Sequence, residues 1–540
     1  MKYYVIGIDI GTAGTKTGIF DNNGTLVAYA YEESKLRYPR PGWVEQDMND
    51  FYLSAVRTLR RAVEESGIDR NRIVALGVTG QMSGIGMIDE NWNPVAHYDS
   101  WLDTRCEPYI RLMQERARLK VLQKTGCPPT YAHCAKMLWW KTEHPEIFSR
   151  VAKFIVAGCF VAGKLAGLTS SQAFIDWTYL HYTGLADIKK LEWDDELCEI
   201  FSIPKEKLPR IIKPTEIVGR LSPQAARQCG LPSGLPIVSG AGDTTASYLG
   251  AGVVRPGVLF DVAGTASVLA SCVESYSPDV HYGTVMCTRS AIDGLWHPIA
   301  FINGGGLCLR WFRDEVADCR SSPKETFGRD VYQILDEWAA LVPPGSDGLL
   351  FIPHLGGRVL PPQPELRGSW VGFSWGQTKA HFYRSILEGI AYEYYFYYKI
   401  MQELYPEIRF SEVRVIGGGA KSALWNQIKA DVLGIPYVRV AQPEPAILGS
   451  ALIAGTAVGL FPDLAQTAQS FVTIRDKVEP RPAYHAFYRE YAEAYIRLLS
   501  DLASTYRVLS KLREMPSPGG LEGDVLTRLP QTNRQEHGGA

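Results

Sequence analysis

The chain opens on an apolar run broken by one acid, "YYVIGIDIG" at residues 3–11. A run of this length bounded by glycine predicts a buried strand. "TKTGIFD" predicts a second strand, "NNG" (Asn22 to Gly24) a turn, and "TLVAYAYEE" a third strand. From about Asn49 to Ser66 the apolar positions Phe51, Leu53, Val56, Leu59 and Val63 fall at helical spacing, and Gly67 stops the pattern. "IVALGVTG" (Ile73 to Gly80) is again a short apolar strand ending in glycine. The predicted order is β-β-β-α-β.

A similar order returns after residue 250. "GVLFDVAGTASVLAS" (Gly257 to Ser271) predicts strand, small-residue turn and strand. "HYGTVMCT" and "LWHPIAFING" predict two more strands, "LCLRWFRDEVA" a helix, and "EVRVIGGGA" a strand ending in glycines. Asp9 and Thr12 of the first half are loosely mirrored by Asp261 and Thr265 of the second. The echo lies in pattern more than in identity, and it predicts two related α/β domains facing each other across a cleft. A mainly helical stretch, about 105–235, lies between them. The long aromatic helix from Lys379 to Tyr405 reads as a core helix, since Phe382, Ile386, Ile390, Tyr394 and Tyr397 share one face. Residues 484–513 predict a terminal amphipathic helix. From Pro516 the chain turns to Pro, Gly, Gln and Asn, which predicts a disordered tail over 516–540.

Composition narrows the function more than the fold. At 540 residues the chain exceeds what one core serves, so two domains are expected. A formal net charge of −2 favours neither nucleic acid nor an anionic membrane, so an anionic ligand must be held by local geometry. Ten scattered cysteines without C-x-x-C pairs predict reduced, buried thiols and a cytoplasmic protein. No apolar run reaches the roughly 18 residues of a membrane span, and no secretory leader pattern is present.

The candidate chemistry sits in three glycine-rich turns at strand ends: "DIGTAGTK" (Asp9 to Lys16), "AGTAS" (Ala263 to Ser267) and "IGGGAKSALW" (Ile416 to Trp425). Glycine lets backbone N–H groups approach an anion, and threonine and serine add hydroxyl donors. Each turn alone is equally a tight strand connection; three in this order point to a nucleotide. The phosphate loop G-x-x-x-x-G-K-[ST] and the dinucleotide fingerprint G-x-G-x-x-G are both missing.

With "GWVEQD" (42–47), "GQMSG" (80–84), "SWLDTRC" (100–106), "SGAGDTTASYLGAG" (239–252) and "GQTKAHFYRSILEGIAYE" (376–393) added, the sequence resembles the FGGY family of carbohydrate kinases over about residues 3–480, and within it the xylulose kinases. The resemblance implies an α/β fold of two actin-like, ribonuclease H-like domains, each a mixed sheet flanked by helices, around a central cleft. Its boundaries would be 1–250 for the sugar and first phosphate domain, 251–485 for the nucleotide domain, and 486–515 for a terminal helix. It implies ATP and Mg²⁺ as cofactors, a small-molecule sugar as partner, and no nucleic-acid or membrane partner; a homodimer is a further expectation.

Residue by residue, the resemblance gives Asp9 to Mg²⁺, Thr12, Thr15 and Lys16 to the transferred phosphate, and Gly264 and Thr265 to the second phosphate turn. Gly306 and Arg310 fall where the family contacts nucleotide, and Gly418, Gly419 and Ala420 on the adenosine turn. Asp243 matches the catalytic base, since a hydroxyl attacks phosphorus poorly without a proton acceptor. An Asp before Thr-Thr-Ala is equally good helix-capping chemistry. Gln81, Met82, Ser83, Trp101, Asp103, Arg105, Tyr131 and Thr244 are the expected sugar contacts. Trp101 reads equally as core, and Arg105 as a surface ion pair. Xylulose kinases usually carry Met-His where this chain has Met82-Ser83, and Asn where it has Thr244. Those departures leave the chemistry intact and open the choice of sugar. D-xylulose leads, ahead of another pentulose, a deoxy-ketose, an aldonate or a polyol. A sugar sensor or nucleotide-dependent binding module on the same scaffold is the rival class.

Overall fold

The computed structural model describes residues 2–317, 330–442, 444–513 and 515. The expected disordered tail and Cys319 lie outside the described residues. Two sheets organise the chain. The first has the strand order Ile217–Arg220, Pro236–Val238, Ile73–Gly80, Tyr4–Ile10, Gly14–Asp21, Leu26–Glu33. The second runs Ile474–Val478, Tyr437–Val440, Glu412–Ile416, Val258–Ala263, Ser267–Ser271, Trp296–Ile302, Met286–Arg289.

The echo seen in sequence is a duplication of topology. In each sheet the opening strand pairs antiparallel with the next through a glycine turn, Asp9 opposite Lys16 in one and Asp261 opposite Leu269 in the other. Each opening strand then takes a parallel partner that arrives after a helix, Ile73–Gly80 or Glu412–Ile416. Beyond it both sheets place a second parallel strand and then an edge antiparallel strand, which comes before the second parallel strand in sequence in the first sheet and after it in the second. Parallel neighbours need a crossover, and helices Met48–Ser66 and Lys379–Leu404 supply it. The aromatic helix is the core element its spacing predicts: Ile386, Ile390, Tyr394 and Tyr397 are fully buried.

Three expectations change. The stretch 105–235 does not simply lie between the domains: strand Ile217–Arg220 and helix Ala157–Ala166 inside it belong to the first sheet and its covering layer. The strand expected over "HYGTVMCT" shortens to Met286–Arg289. The helix expected over "LCLRWFRDEVA" is α-helical only through Trp311 and widens to a π turn over Phe312–Val316. The terminal helix spans Pro482–Arg513 and buries Tyr488, Ala492 and Tyr495 against the second body.

One helix makes a large part of the tie between the two bodies. Pro445–Ala457 lies in sequence between strands Tyr437–Val440 and Ile474–Val478 of the second sheet yet packs on the first, against strands Tyr4–Ile10 and Ile73–Gly80 and helix Asp243–Gly250. Glycine makes the approach feasible: a Cβ on Gly7 would lie 1.9 Å from the Ile447 carbonyl oxygen. Ile447, Leu448, Leu452 and Ile453 are all essentially solvent-free there. At about 1.5–3 kcal/mol each, their burial contributes on the order of 6–12 kcal/mol, an upper bound.

Candidate active site

Two cavities meet at the first glycine turn. One, of about 460 Å³, is lined by Asp9, Gly11, Gly14, Lys16 and Glu444 among others. The second, of about 430 Å³, lies between the bodies and is lined by Met82, Ser83, Trp101, Tyr131, Asp243 and Thr244 from the first and by Phe301, Asn303 and the 356–364 loop from the second. Thr12 lines both. Its hydroxyl accepts from the Trp101 indole at 2.8 Å and donates to Gln81 at 3.2 Å. Gln81 donates to Gln46, and Gln46 donates back to the Thr12 carbonyl. This closed ring of bonds fixes the turn between the cavities.

Asp9 is buried, and its Oδ1 has no hydrogen-bond partner. Burial pushes its carboxyl well above the ordinary aspartate range; the Asp243 and Glu444 charges add to this, and Lys16 opposes it. Burial also raises Asp243, offset in part by bonds from the Thr244 amide (2.6 Å) and hydroxyl (3.1 Å) and by Lys16. Asp243 is the first residue of its helix, and Gly242 holds the cap position that the sequence offered to Asp243. Burial alone would lower the Lys16 ammonium, but its 2.8 Å pair with Glu444 and the nearby Asp9 outweigh it and hold the value above the lysine range. A buried carboxylate, a half-buried one and one cation thus share a small volume, a pattern typical of reaction centres.

Asp261, the echo of Asp9, shows the contrast. It is fully buried, pairs with the fully buried Lys429, and accepts from Tyr394 at 2.8 Å. A carboxylate near the end of the opening strand is paired in one body and left open in the other.

The second and third turns converge in the other body. A Cβ on Gly306 would lie 1.9 Å from the Gly264 carbonyl oxygen, and one on Gly417 2.7 Å from that of Ala263. The Leu307 amide donates to the Thr265 carbonyl at 3.2 Å. Gly264, Thr265, Gly306 and the Gly418–Ala420 turn therefore form one glycine-rich surface, with open space at Gly418.

Several expected residues face elsewhere. The Thr15 hydroxyl is buried against Ser54 at 2.7 Å, away from Lys16 and the cavity. Arg105 is neither a cavity residue nor a surface ion pair. Its buried guanidinium is paired with Asp103 at 2.7 Å and Glu45 at 2.9 Å, and lies 3.8 Å from the Trp43 ring centroid. Asp103 also accepts from the Val44 amide at 2.7 Å, so this pair braces the wall instead of lining it. Gln81 is buried behind Thr12, whose hydroxyl it accepts from. Arg310 is exposed and directed at Asp314, 3.7 Å away. Ser83 lines the cavity at φ 66°, a strained conformation for serine, and its hydroxyl donates to the Tyr131 carbonyl at 3.0 Å.

Glu444 is the residue sequence reasoning missed. It precedes helix Pro445–Ala457 as Asp243 begins helix Asp243–Gly250, and the segments after them, "PAILGSALIAG" and "TTASYLGAG", share a small-residue texture. That likeness was the available signal.

Duplicated bodies with opposed glycine turns and a shared cleft define the actin-like ATPase fold. Residues 4–250 match the FGGY family of carbohydrate kinases, N-terminal domain, and residues 262–458 match its C-terminal domain. The chain belongs to the FGGY family of carbohydrate kinases. It is 30% identical over 462 residues to a gluconokinase of Bacillus subtilis (strain 168), spanning 85% of this chain and 88% of the relative. A xylulose kinase of Staphylococcus epidermidis is 26% identical, across 92% of this chain and 96% of that one. The crystal structure of ligand-bound xylulose kinase from Lactobacillus acidophilus superposes with a TM-score of 0.85 at 25% identity, covering 94% of this chain and 100% of that chain.

Proposed function

We propose that this chain transfers the γ-phosphoryl group of ATP to a hydroxyl of a small neutral ketose, with D-xylulose the first candidate. The observation that carries the reading is the placement of Asp243 on the wall of the inter-body cavity, beside the turn that presents Asp9, Thr12 and Lys16. The sugar hydroxyl would sit against Asp243, which accepts its proton as the bond to phosphorus forms. Trp101 offers a ring face to the sugar's C–H side while its N–H stays on Thr12. Ser83, Tyr131 and Thr244 take hydroxyls. The glycine surface at 264, 306 and 418–420 receives the nucleotide, and closure of the two bodies excludes water.

The residues present fit a magnesium ion. Asp9 Oδ1 is a buried acceptor without a partner, and among the described residues no cluster of three acidic, histidine or cysteine side chains could cage a metal. Mg²⁺ suits such a site, because it keeps waters and binds through one or two carboxylates plus substrate phosphates. When bound there it would offset phosphate charge.

A neutral sugar is favoured over an aldonate by the cavity's charges. Arg358 is the cation among its lining residues, and its guanidinium is committed to the buried Glu393. The gluconokinase relative keeps gluconate as the second reading. The nine cysteines among the described residues are all free and buried, which supports a reducing compartment. The reading is tested by an ADP-release screen over pentuloses, hexuloses, gluconate, glycerol and related polyols, followed by Asp243→Asn on the best substrate. No stimulation by any compound refutes the kinase reading; wild-type turnover in Asp243→Asn refutes the base.

A further inference from the structure

Asp243 is presented by a turn that is itself clamped. The peptide unit joining Ala241 to Gly242 immediately precedes it. The carbonyl of that unit accepts hydrogen bonds from the Tyr179 hydroxyl, at 3.2 Å, and from the Thr79 hydroxyl. Its N–H donates to the Thr178 hydroxyl at 2.9 Å. Thr178 in turn donates its proton to Asp176 Oδ1, which also accepts from the Thr178 amide at 2.9 Å. Tyr179 reaches the Gly80 carbonyl as well, at 3.0 Å, so the same ring ties down the neighbouring "GQMSG" turn. Asp176, Thr178, Tyr179 and Thr79 are all essentially solvent-free.

One peptide plane is therefore held on both its polar groups by three side chains, two of them, Thr178 and Tyr179, from the short 3₁₀ turn Trp177–Tyr182, with Asp176 behind Thr178. Rotation of that plane would swing the start of helix Asp243–Gly250 and with it the Asp243 carboxylate. The helix offers no substitute, since Gly242 has no side chain to cap it. Thr178 is the pivot because its one hydroxyl both accepts from Gly242 and donates to Asp176. The direction of that relay is fixed: an ionised or neutral Asp176 Oδ1 accepts, so the Thr178 lone pairs are left facing the Gly242 N–H.

We infer that the Asp176–Thr178–Tyr179 clamp is a positioning device for the base, acting on turnover through the 241–242 peptide without touching substrate. This rests on the reading of Asp243 as proton acceptor. A base displaced by a fraction of an ångström loses alignment with the attacking hydroxyl, and rate falls steeply with such displacement.

The test uses the full chain with Mg·ATP and, as acceptors, D-xylulose and D-gluconate. Thr178→Val keeps the shape and removes the relay, Thr178→Ser restores the hydroxyl, and Tyr179→Phe removes only the bonds to the carbonyls. Thr178→Val and Tyr179→Phe are expected to lower kcat by about tenfold to a hundredfold. KM for ATP and for the sugar should move less than about threefold, and Thr178→Ser should recover most of the loss. In an Asp243→Asn background Thr178→Val should cost nothing further, because there is no base left to misplace. The inference is overturned if Thr178→Val or Tyr179→Phe keeps wild-type kcat, if Thr178→Ser is as impaired as Val, or if the double variant loses a further tenfold. Should Thr178→Val fail to fold, Tyr179→Phe decides alone. If Asp243→Asn itself is fully active, the base reading has failed; if it is inactive while Tyr179→Phe is normal, only the clamp has.

Discussion

Asp9 and Asp261 each lie near the end of the opening strand of their body, one beside an open cavity and the other in a buried ion pair, so the same Asp→Asn change should have opposite effects on stability. Asp261 pairs with Lys429, and both side chains are fully buried. Removing one partner of such a pair leaves an uncompensated charge and costs about 3–5 kcal/mol. For domains of this size that is roughly 6–20 °C in Tm. Asp9 is the reverse case: its folded carboxyl is raised by burial and by neighbouring Asp243, so ionising it disfavours the folded state. Asp9→Asn removes that charge and leaves Lys16 paired with Glu444, for an expected gain of about 1–2 kcal/mol, with activity lost.

The sign carries through to pH. A carboxyl whose folded value exceeds its unfolded one binds extra protons when folded, so the stability from this site falls as pH rises above about 3.9 towards the raised folded value. Asp9→Asn lacks this loss. Its advantage over wild type should be near zero at about pH 4 and largest once the folded carboxyl is ionised. Thermal and urea unfolding of both variants, at acid and neutral pH, measures all of this. An Asp9→Asn protein less stable than wild type at neutral pH, or an Asp261→Asn protein as stable as wild type, would refute the assignment of one aspartate to function and the other to structure.

Gly306→Ala places a methyl 1.9 Å from the Gly264 carbonyl oxygen and must push those two turns apart. KM for ATP should rise about tenfold or more while KM for sugar changes little, a split read by steady-state kinetics; unchanged KM for ATP would remove that surface from the nucleotide site. Arg105→Met strips the cation from Asp103 and Glu45. Denaturant unfolding should show a loss of about 3–5 kcal/mol, and the fraction that stays folded should retain near-normal KM for sugar.

The duplication was legible because each body repeats one strong signal, an apolar strand that runs into small residues. What escaped was short. Strand Ile217–Arg220 has four residues, too few for a period to register within a helical stretch. Thr15 is an instructive miss. It and Lys16 are neighbours on strand Gly14–Asp21, and successive strand side chains point to opposite faces, so both could not reach one phosphate. In "SWLDTRC" the motif was visible but its direction was not: Asp103 and Arg105 satisfy each other, and spacing does not say whether a polar pair faces a ligand or its own partner. Glu444 lies more than 400 residues from Lys16 in sequence, and only the fold brings the two together.

Helix Pro445–Ala457 also decides how the chain can be divided. A fragment ending at residue 250 would have a complete six-stranded sheet but no cover for Val5, Phe20, Ala75 and Val238, which pack with Ile447, Leu448 and Leu452. Such a fragment should aggregate or stay partly unfolded, and adding residues 445–457 as a separate peptide should rescue it. The first body is completed only after most of the second has been synthesised, so folding on the ribosome must leave its sheet waiting for a helix nearly 200 residues downstream.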